Sequence, residues 1–230
     1  MEKIYFLSGT MCNQDLWQFV FPKIEKYTSE HIDITSAISF DEINAIINSK
    51  IDKPSILVGF SLGGFSALNF ATQYPEKIKK LIIIAANAKG LSENEIKLRK
   101  STIQFLETHQ YKGISNTRVK QFLHPENHQN EALTSIIKKM DIDLGKDVLI
   151  RQLKATSKRI DISNKLNKIN SPTLLISAKE DDLVSYLDVS ALKNEMTNSI
   201  SIIIKNCGHM IPLEKPTELT GIINNYLNEF

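Results

Sequence analysis

Residues 54–75, PSILVGFSLGGFSALNFATQYP, constrain the fold more tightly than any other part of the chain. The run Ile56-Leu57-Val58 is apolar without alternation and too short for a helix, so it reads as a buried strand. From Leu62 to about Tyr74 the spacing of Phe65, Leu68 and Phe70–Ala71 predicts a helix, with Pro75 at its exit. Between the two lies Gly59-Phe60-Ser61-Leu62-Gly63, a Gly-x-Ser-x-Gly segment. A serine on so tight a strand-to-helix turn must hold an unfavourable backbone conformation and needs small neighbours on both sides. Gly59 and Gly63 supply that room and leave Ser61 projecting outward. The turn also leaves free backbone N–H groups at a helix N-terminus, suited to stabilising a developing negative charge. Glycines and a serine can equally make a turn without chemistry. The strand before and the helix after are the context that favours a nucleophile.

With 230 residues, 42% hydrophobic and 23% charged, the chain is long enough for one sizeable core, and one domain with an insertion is expected. A formal net charge of +2 without a long basic run argues against nucleic-acid binding. The apolar run Ile4–Leu7 is too short for a leader, and no stretch approaches the length of a membrane span. Cys12 and Cys207 form no disulfide framework and are expected as free thiols in a reducing cytoplasm. A bridge between them would require their Cα atoms to come close, which sequence does not show.

In chain order, residues 3–7 read as a strand. Asp15 reads as the cap of a helix over 16–27, with Trp17, Val20, Ile24 and Tyr27 on one face and Trp17 in the core. Residues 31–35 alternate as a short strand, and 40–48 form an amphipathic helix with Ile43, Ile46 and Ile47 inward. After the central strand and helix, Lys80–Ala86 is a second continuous apolar run. This alternation indicates βαβ units and a parallel, doubly wound α/β sheet. Between 91 and 159 no strand is evident. Helical segments are expected near 93–110, 116–123, 130–140 and 146–158, an excursion that leaves the sheet and covers one end. The sheet resumes at 172–177, followed by a helix over 186–196, a strand over 199–205 and a terminal helix over 216–228.

A serine hydroxyl needs a base, and the base an orienting carboxylate. Both belong in loops at the carboxyl ends of strands, where open α/β sheets build their sites. His209, after the last strand and behind Gly208, is the strongest of five histidines. His31, His109, His124 and His128 read as surface or satisfied buried residues. Pro125 breaks the helical geometry that His124 and His128 would need to share a metal, so no metal site is expected. Asp181 and Asp182 compete for the acid role. The order serine, acid, histidine is that of the fold built on a nucleophile elbow.

On these residues the sequence resembles the α/β-hydrolase superfamily, over nearly its whole length. Gly59-Phe-Ser-Leu-Gly-Gly64 matches the elbow, Pro172-Thr-Leu-Leu-Ile-Ser-Ala-Lys-Glu-Asp-Asp-Leu-Val184 is similar to the acid loop, and Asn206-Cys-Gly-His-Met-Ile-Pro-Leu-Glu-Lys-Pro216 to the histidine loop. The register of the acid loop favours Asp181 over Asp182. Ser8-Gly9-Thr10 stands where the family has His-Gly-x, so the resemblance implies oxyanion donors at the backbone amides of Thr10 and Leu62, with Ser8 a departure from the pattern. It also implies a trimmed sheet of about six strands, largely or wholly parallel, with a core of 1–90 and 160–230 and a helical lid over 91–159. The implied chemistry is hydrolysis of an ester or thioester by Ser61, His209 and Asp181 without a cofactor. A serine rather than an aspartate at the elbow argues against dehalogenase or epoxide hydrolase chemistry. Residues 88–159 carry 14 lysines and arginines against eight acids, leaving the remainder at −4. That surplus is either a set of solvated helix faces or a surface for an acidic partner. An acyl carrier protein presenting a methyl ester of a biotin precursor is the specific form of the second reading. Small-molecule sensing with little turnover, or lyase chemistry, is a further alternative on the same fold.

Overall fold

The computed structural model describes residues 1–229. Among them, strands β1 (Glu2–Leu7), β2 (Tyr27–His31), β3 (Ser55–Phe60), β4 (Ile78–Ile84), β5 (Thr173–Ala178) and β6 (Ser199–Ile204) form one 6-stranded sheet. Its order is β2-β1-β3-β4-β5-β6 and every neighbouring pair is parallel, as expected. The intervening helices are α1 (Phe40–Lys50), α2 (Leu62–Gln73), α3 (Glu93–Thr108), α4 (Asn116–Lys120), α5 (Glu131–Thr156), α6 (Tyr186–Glu195), α7 (Ile211–Glu214) and α8 (Pro216–Glu229).

The continuous apolar runs follow from burial of the sheet on both faces. Ile4, Phe6, Ile56, Val58, Phe60, Ile82, Ile84, Leu174 and Ile176 face one core, closed by Trp17 and by Leu219, Ile223 and Leu227 of α8. Tyr5, Leu7, Leu57, Leu81, Ile83 and Leu175 face the other, closed by α1, α2 and α6. Alternation is present but hidden, because both sets of side chains need apolar partners. From β1 the chain steps outward to β2 and then returns to β3 on the other side of β1. This reversal of direction opens a crevice at the carboxyl ends of β1 and β3, where the loop from Ser8 and the turn at Ser61 begin.

One early expectation fails. Residues 16–27 are not a helix: two 3₁₀ turns, Gln14–Trp17 and Phe21–Lys23, replace it, and Tyr27 already belongs to β2. Pro22 is the physical cause, since inside a helix it would remove an N–H and clash with a carbonyl of the preceding turn. Asn13, not Asp15, caps the first turn by accepting from the Asp15 amide at 2.9 Å. The expected strand over 31–35 lies earlier, at Tyr27–His31, where it pairs with β1. Trp17 is fully buried, as expected.

In the 91–159 segment Ser92 and Glu95 form a reciprocal capping box at the start of α3. Val119, Leu123, Leu133, Ile137 and Met140 join the core that holds Trp17. The two helices expected at 130–140 and 146–158 are one span, interrupted at Gly145 (φ 71°, ψ −177°).

Backbone closeness at the elbow is extreme. A Cβ on Gly63 would lie 2.3 Å from the Leu7 carbonyl oxygen, and one on Gly59 would lie 2.3 Å from the Gly63 carbonyl oxygen. Since backbone cannot yield as a flexible side chain does, Gly63→Ala is expected to destabilise the fold by at least about 2 kcal/mol, measured as a lower urea midpoint with the m-value unchanged.

Candidate active site

Ser61 follows β3 and precedes α2 with φ 53° and ψ −114°, a conformation that costs a non-glycine residue roughly 1–3 kcal/mol. Its N–H donates to the Ile84 carbonyl at 2.9 Å, and its own carbonyl accepts from Phe65 N–H at 3.0 Å. The strained turn is thus pinned to β4 on one side and to the first turn of α2 on the other. Its hydroxyl lies 3.0 Å from His209 Nε2.

His209 is buried, its ring 5.0 Å from that of Phe60, and its Nδ1 lies 2.7 Å from Asp181 Oδ2. With Nδ1–H donated to the carboxylate, Nε2 is the nitrogen left to accept the serine proton. The other carboxylate oxygen, Oδ1, accepts the amides of Leu183 and Val184 at 2.8 and 3.0 Å. Asp181 is therefore held by its own loop whether or not the histidine is present. Asp182 is exposed. Of the two carboxyls, Asp181 is the one that meets His209.

Glu214, quoted in the histidine-loop motif but given no role from sequence, fastens that loop. It accepts Gly208 N–H at 3.0 Å through Oε1, and His124 N–H at 2.7 Å and Asn127 Nδ2 at 2.8 Å through Oε2. One half-buried carboxylate so joins the loop carrying His209 to the helical segment, and Met210 N–H adds a bond to the Phe122 carbonyl at 3.1 Å. The signal in sequence was the glutamate five residues after the histidine, at the start of the last helices.

The loop after β1 lies against Ser61: a Cβ on Gly9 would sit 3.2 Å from Ser61 Cβ. Thr10 follows it and is exposed, while Leu62, the first residue of α2, keeps an amide with no partner inside its helix. Ser8, the departure from the family pattern, is buried and draws three bonds to one hydroxyl. It donates to the Asn13 carbonyl at 3.0 Å and accepts Trp17 Nε1–H at 2.9 Å. With its proton so committed, it accepts from His31 Nε2 at 3.0 Å. His31, read from sequence as a residue without a role, reaches the loop from the end of β2.

Residues 31–216 match the family model described as serine aminopeptidase, S33. The chain belongs to this family of α/β hydrolases. This hydrolase is 28% identical to the pimeloyl-[acyl-carrier protein] methyl ester esterase of Wigglesworthia glossinidia brevipalpis, over 99% of this chain and 94% of that protein. A thermophilic esterase from Thermogutta terrifontis superposes with a TM-score of 0.88 at 17% identity, covering 100% of this chain and 90% of that one. The enol-lactonase of Burkholderia xenovorans LB400 superposes with a TM-score of 0.87 at 12% identity, covering 100% and 93%. At those identities the two superpositions speak for the fold alone.

Two further histidines of the hydrolase have local partners. His128 donates Nε2–H to the Leu123 carbonyl at 3.1 Å, and His124 accepts from the Glu126 amide. Cys12 and Cys207 are free and buried rather than bridged. Burial pushes the Cys12 thiol up to about 12, and burial followed by the Glu214 carboxylate pushes Cys207 upward as well. Neither is a thiolate near neutral pH. Among the described residues no helix is long and apolar enough to cross a membrane.

Burial lowers the His31 pKa below its ordinary 6.5, against the opposing pull of Asp33. The unfolded chain therefore binds the proton more readily than the folded one. The contribution is present above 6.5 and is lost as pH falls through the lowered folded value. Thermal unfolding followed between pH 8 and pH 5 should show a smaller drop in Tm for His31→Gln than for the natural protein.

Proposed function

We propose that this hydrolase is a serine esterase that cleaves a carboxylic ester or thioester through an acyl-enzyme on Ser61. The observation that carries this reading is the continuous contact Ser61 Oγ–His209 Nε2–Asp181, at 3.0 and 2.7 Å. In the acylation step His209 Nε2 takes the hydroxyl proton as Ser61 Oγ attacks the carbonyl carbon, and the oxyanion is received by the Thr10 and Leu62 amides. His209 then returns the proton to the departing alcohol or thiol. In deacylation it takes a proton from water, whose oxygen attacks the acyl carbon, and gives it back to Ser61 as the carboxylic acid leaves. Asp181 holds the imidazole and stabilises its charged form. Residues 91–159 act as a lid over the crevice, a role supported by the bonds that tie them to the histidine loop.

Hydrolysis of p-nitrophenyl acyl esters of graded chain length tests the reading. Ser61→Ala should abolish turnover, and Asp181→Asn should lower kcat by roughly 10³–10⁴-fold while Asp182→Asn leaves it within about twofold. Turnover surviving in Ser61→Ala sinks the assignment of the nucleophile.

A more specific reading is favoured by the likeness to the methyl ester esterase of Wigglesworthia and by the basic surplus of residues 88–159: the ester is delivered on an acidic acyl carrier protein. Several of these cations already serve the fold. Lys139 pairs with Asp15 and Asp143, Lys154 with Glu107, and Arg151 donates to the Thr35 carbonyl. Lys120 and Lys138 instead line an open groove of about 230 Å³ with Val119, His128 and Thr134. Reversing both to glutamate should raise KM for a carrier-borne methyl ester about tenfold, an effect that salt diminishes, and leave p-nitrophenyl ester hydrolysis unchanged. An unchanged KM for the carrier-borne ester counts against docking there.

A further inference from the structure

The turn from Gly9 to Cys12 carries the Thr10 amide in the loop that packs on Ser61, and besides a bond from Cys12 Sγ to the Thr10 carbonyl at 3.5 Å three attachments hold it. Cys12 N–H closes the turn on the Gly9 carbonyl at 3.2 Å. Ser8 anchors its first end through Trp17 and His31. The third attachment comes from a part of the chain 141 residues away: Met11 N–H donates to Gln152 Oε1 at 2.9 Å.

Gln152 is 3% exposed, on the half of α5 that follows the Gly145 interruption. Met11 has φ 54°, a left-handed conformation that methionine does not adopt by preference. The turn therefore leans on its external acceptor: without Gln152 the Met11 amide loses its partner, and the peptide between Thr10 and Met11 is left with the weaker bond from Cys12 Sγ to the Thr10 carbonyl at 3.5 Å. Relaxation of Met11 toward the conformation it favours changes ψ at Thr10 and φ at Met11, and with them the fixed shape of the loop that bears the Thr10 amide. The neighbouring Arg151 donates to the Thr35 carbonyl at 2.9 Å, so the same helical turn is seated on the core at two points. Gly145, with φ 71° and ψ −177°, adopts a backbone conformation open in practice only to glycine, and a Cβ there would meet nothing within 4 Å. The bend thus owes its existence to backbone geometry rather than to packing, and it aims the second half of α5 at the loop after β1.

We propose that Gln152 is a positioning residue for the oxyanion hole, which makes the placement of the Thr10 amide depend on the seating of the second half of α5 over the loop after β1. Gln152 touches neither substrate nor nucleophile and acts through Met11. This rests on the serine-esterase reading above.

The test compares the natural protein, Ser61→Ala, Gln152→Met and Gln152→Glu with a p-nitrophenyl butyrate substrate and with a p-nitrophenyl alkylphosphonate that labels the nucleophile, read by intact mass. Methionine keeps the length and removes the acceptor, whereas glutamate keeps an acceptor oxygen. Gln152→Met should lower kcat and the labelling rate by roughly 10- to 100-fold with KM within about twofold, the range in which a small displacement of a catalytic donor falls. Gln152→Glu should stay within about threefold of the natural protein, a recovery that a purely structural role for the side chain would not give. A Gln152→Met variant matching the natural protein overturns the proposal, as does equal impairment of both variants. If Gln152→Met does not fold, Gln152→Glu and the deuterium uptake of residues 8–13 decide: an impaired Gln152→Glu with unaltered uptake overturns it. Failure of the underlying reading looks different, since Ser61→Ala would then hydrolyse or take the label as the natural protein does, or the natural protein would take no label at all.

Discussion

The fold depends on a contact between two pieces of main chain. The N-terminal turn of α2 presses on the end of β1 so closely that Gly63 has no room for a single carbon beyond its backbone. That contact lets β3 turn into α2 within one residue, and it forces the left-handed conformation on Ser61. The strain is carried by bonds to neighbours, above all that of Ser61 N–H to the end of β4. Because all the strands run the same way, every loop able to contribute chemistry starts on the same edge as this turn.

Each member of the Ser61–His209–Asp181 set is held independently of the others. The serine is fixed by its turn, the aspartate by two amides of its own loop, and the histidine loop by Glu214. Since no member relies on the next for its place, the geometry exists before substrate arrives. This is the condition under which electrostatic stabilisation costs little reorganisation during reaction. The loop after β1 is the exception. It carries a left-handed methionine, and one of its fastenings lies on a distant helix, so it is the part of the site that answers to the rest of the molecule.

What could be read from sequence was what is local. β3, β4 and β5 announce themselves as apolar runs, because strands buried on two faces have no polar side to show. Ser61 and Asp181 each follow such a strand, His209 follows the half-buried edge strand β6, and chain order together with the family register brought them together on paper before the distances did. Residues 14–31 were misread for the opposite reason. Pro22 breaks the helical pattern that Trp17, Val20 and Ile24 suggest, and Tyr27-Thr-Ser-Glu-His31 is a half-buried edge strand with no apolar face. Its existence comes from pairing with β1, which lies about 25 residues earlier. His31 and Gln152 were passed over because what gives them significance is their partners, Ser8 and Met11, and nothing near them in the chain signals those contacts.

The strand order also has a consequence in time. Among the described strands β1 precedes the others in the chain, yet it lies inside the sheet, between β2 and β3, and cannot be covered on both edges until residue 60 has been made. β5 and β6 come only after the whole helical segment, and they lead into the loops of Asp181 and His209. A nascent chain therefore carries Ser61 through the whole helical segment before Asp181 and His209 are made. Domains assemble as their chain emerges, and here β5 and β6, the strands that lead into Asp181 and His209, dock after the helical segment. The contact between Ser61, His209 and Asp181 is thus a late product of folding, formed when β5 and β6 have joined the sheet.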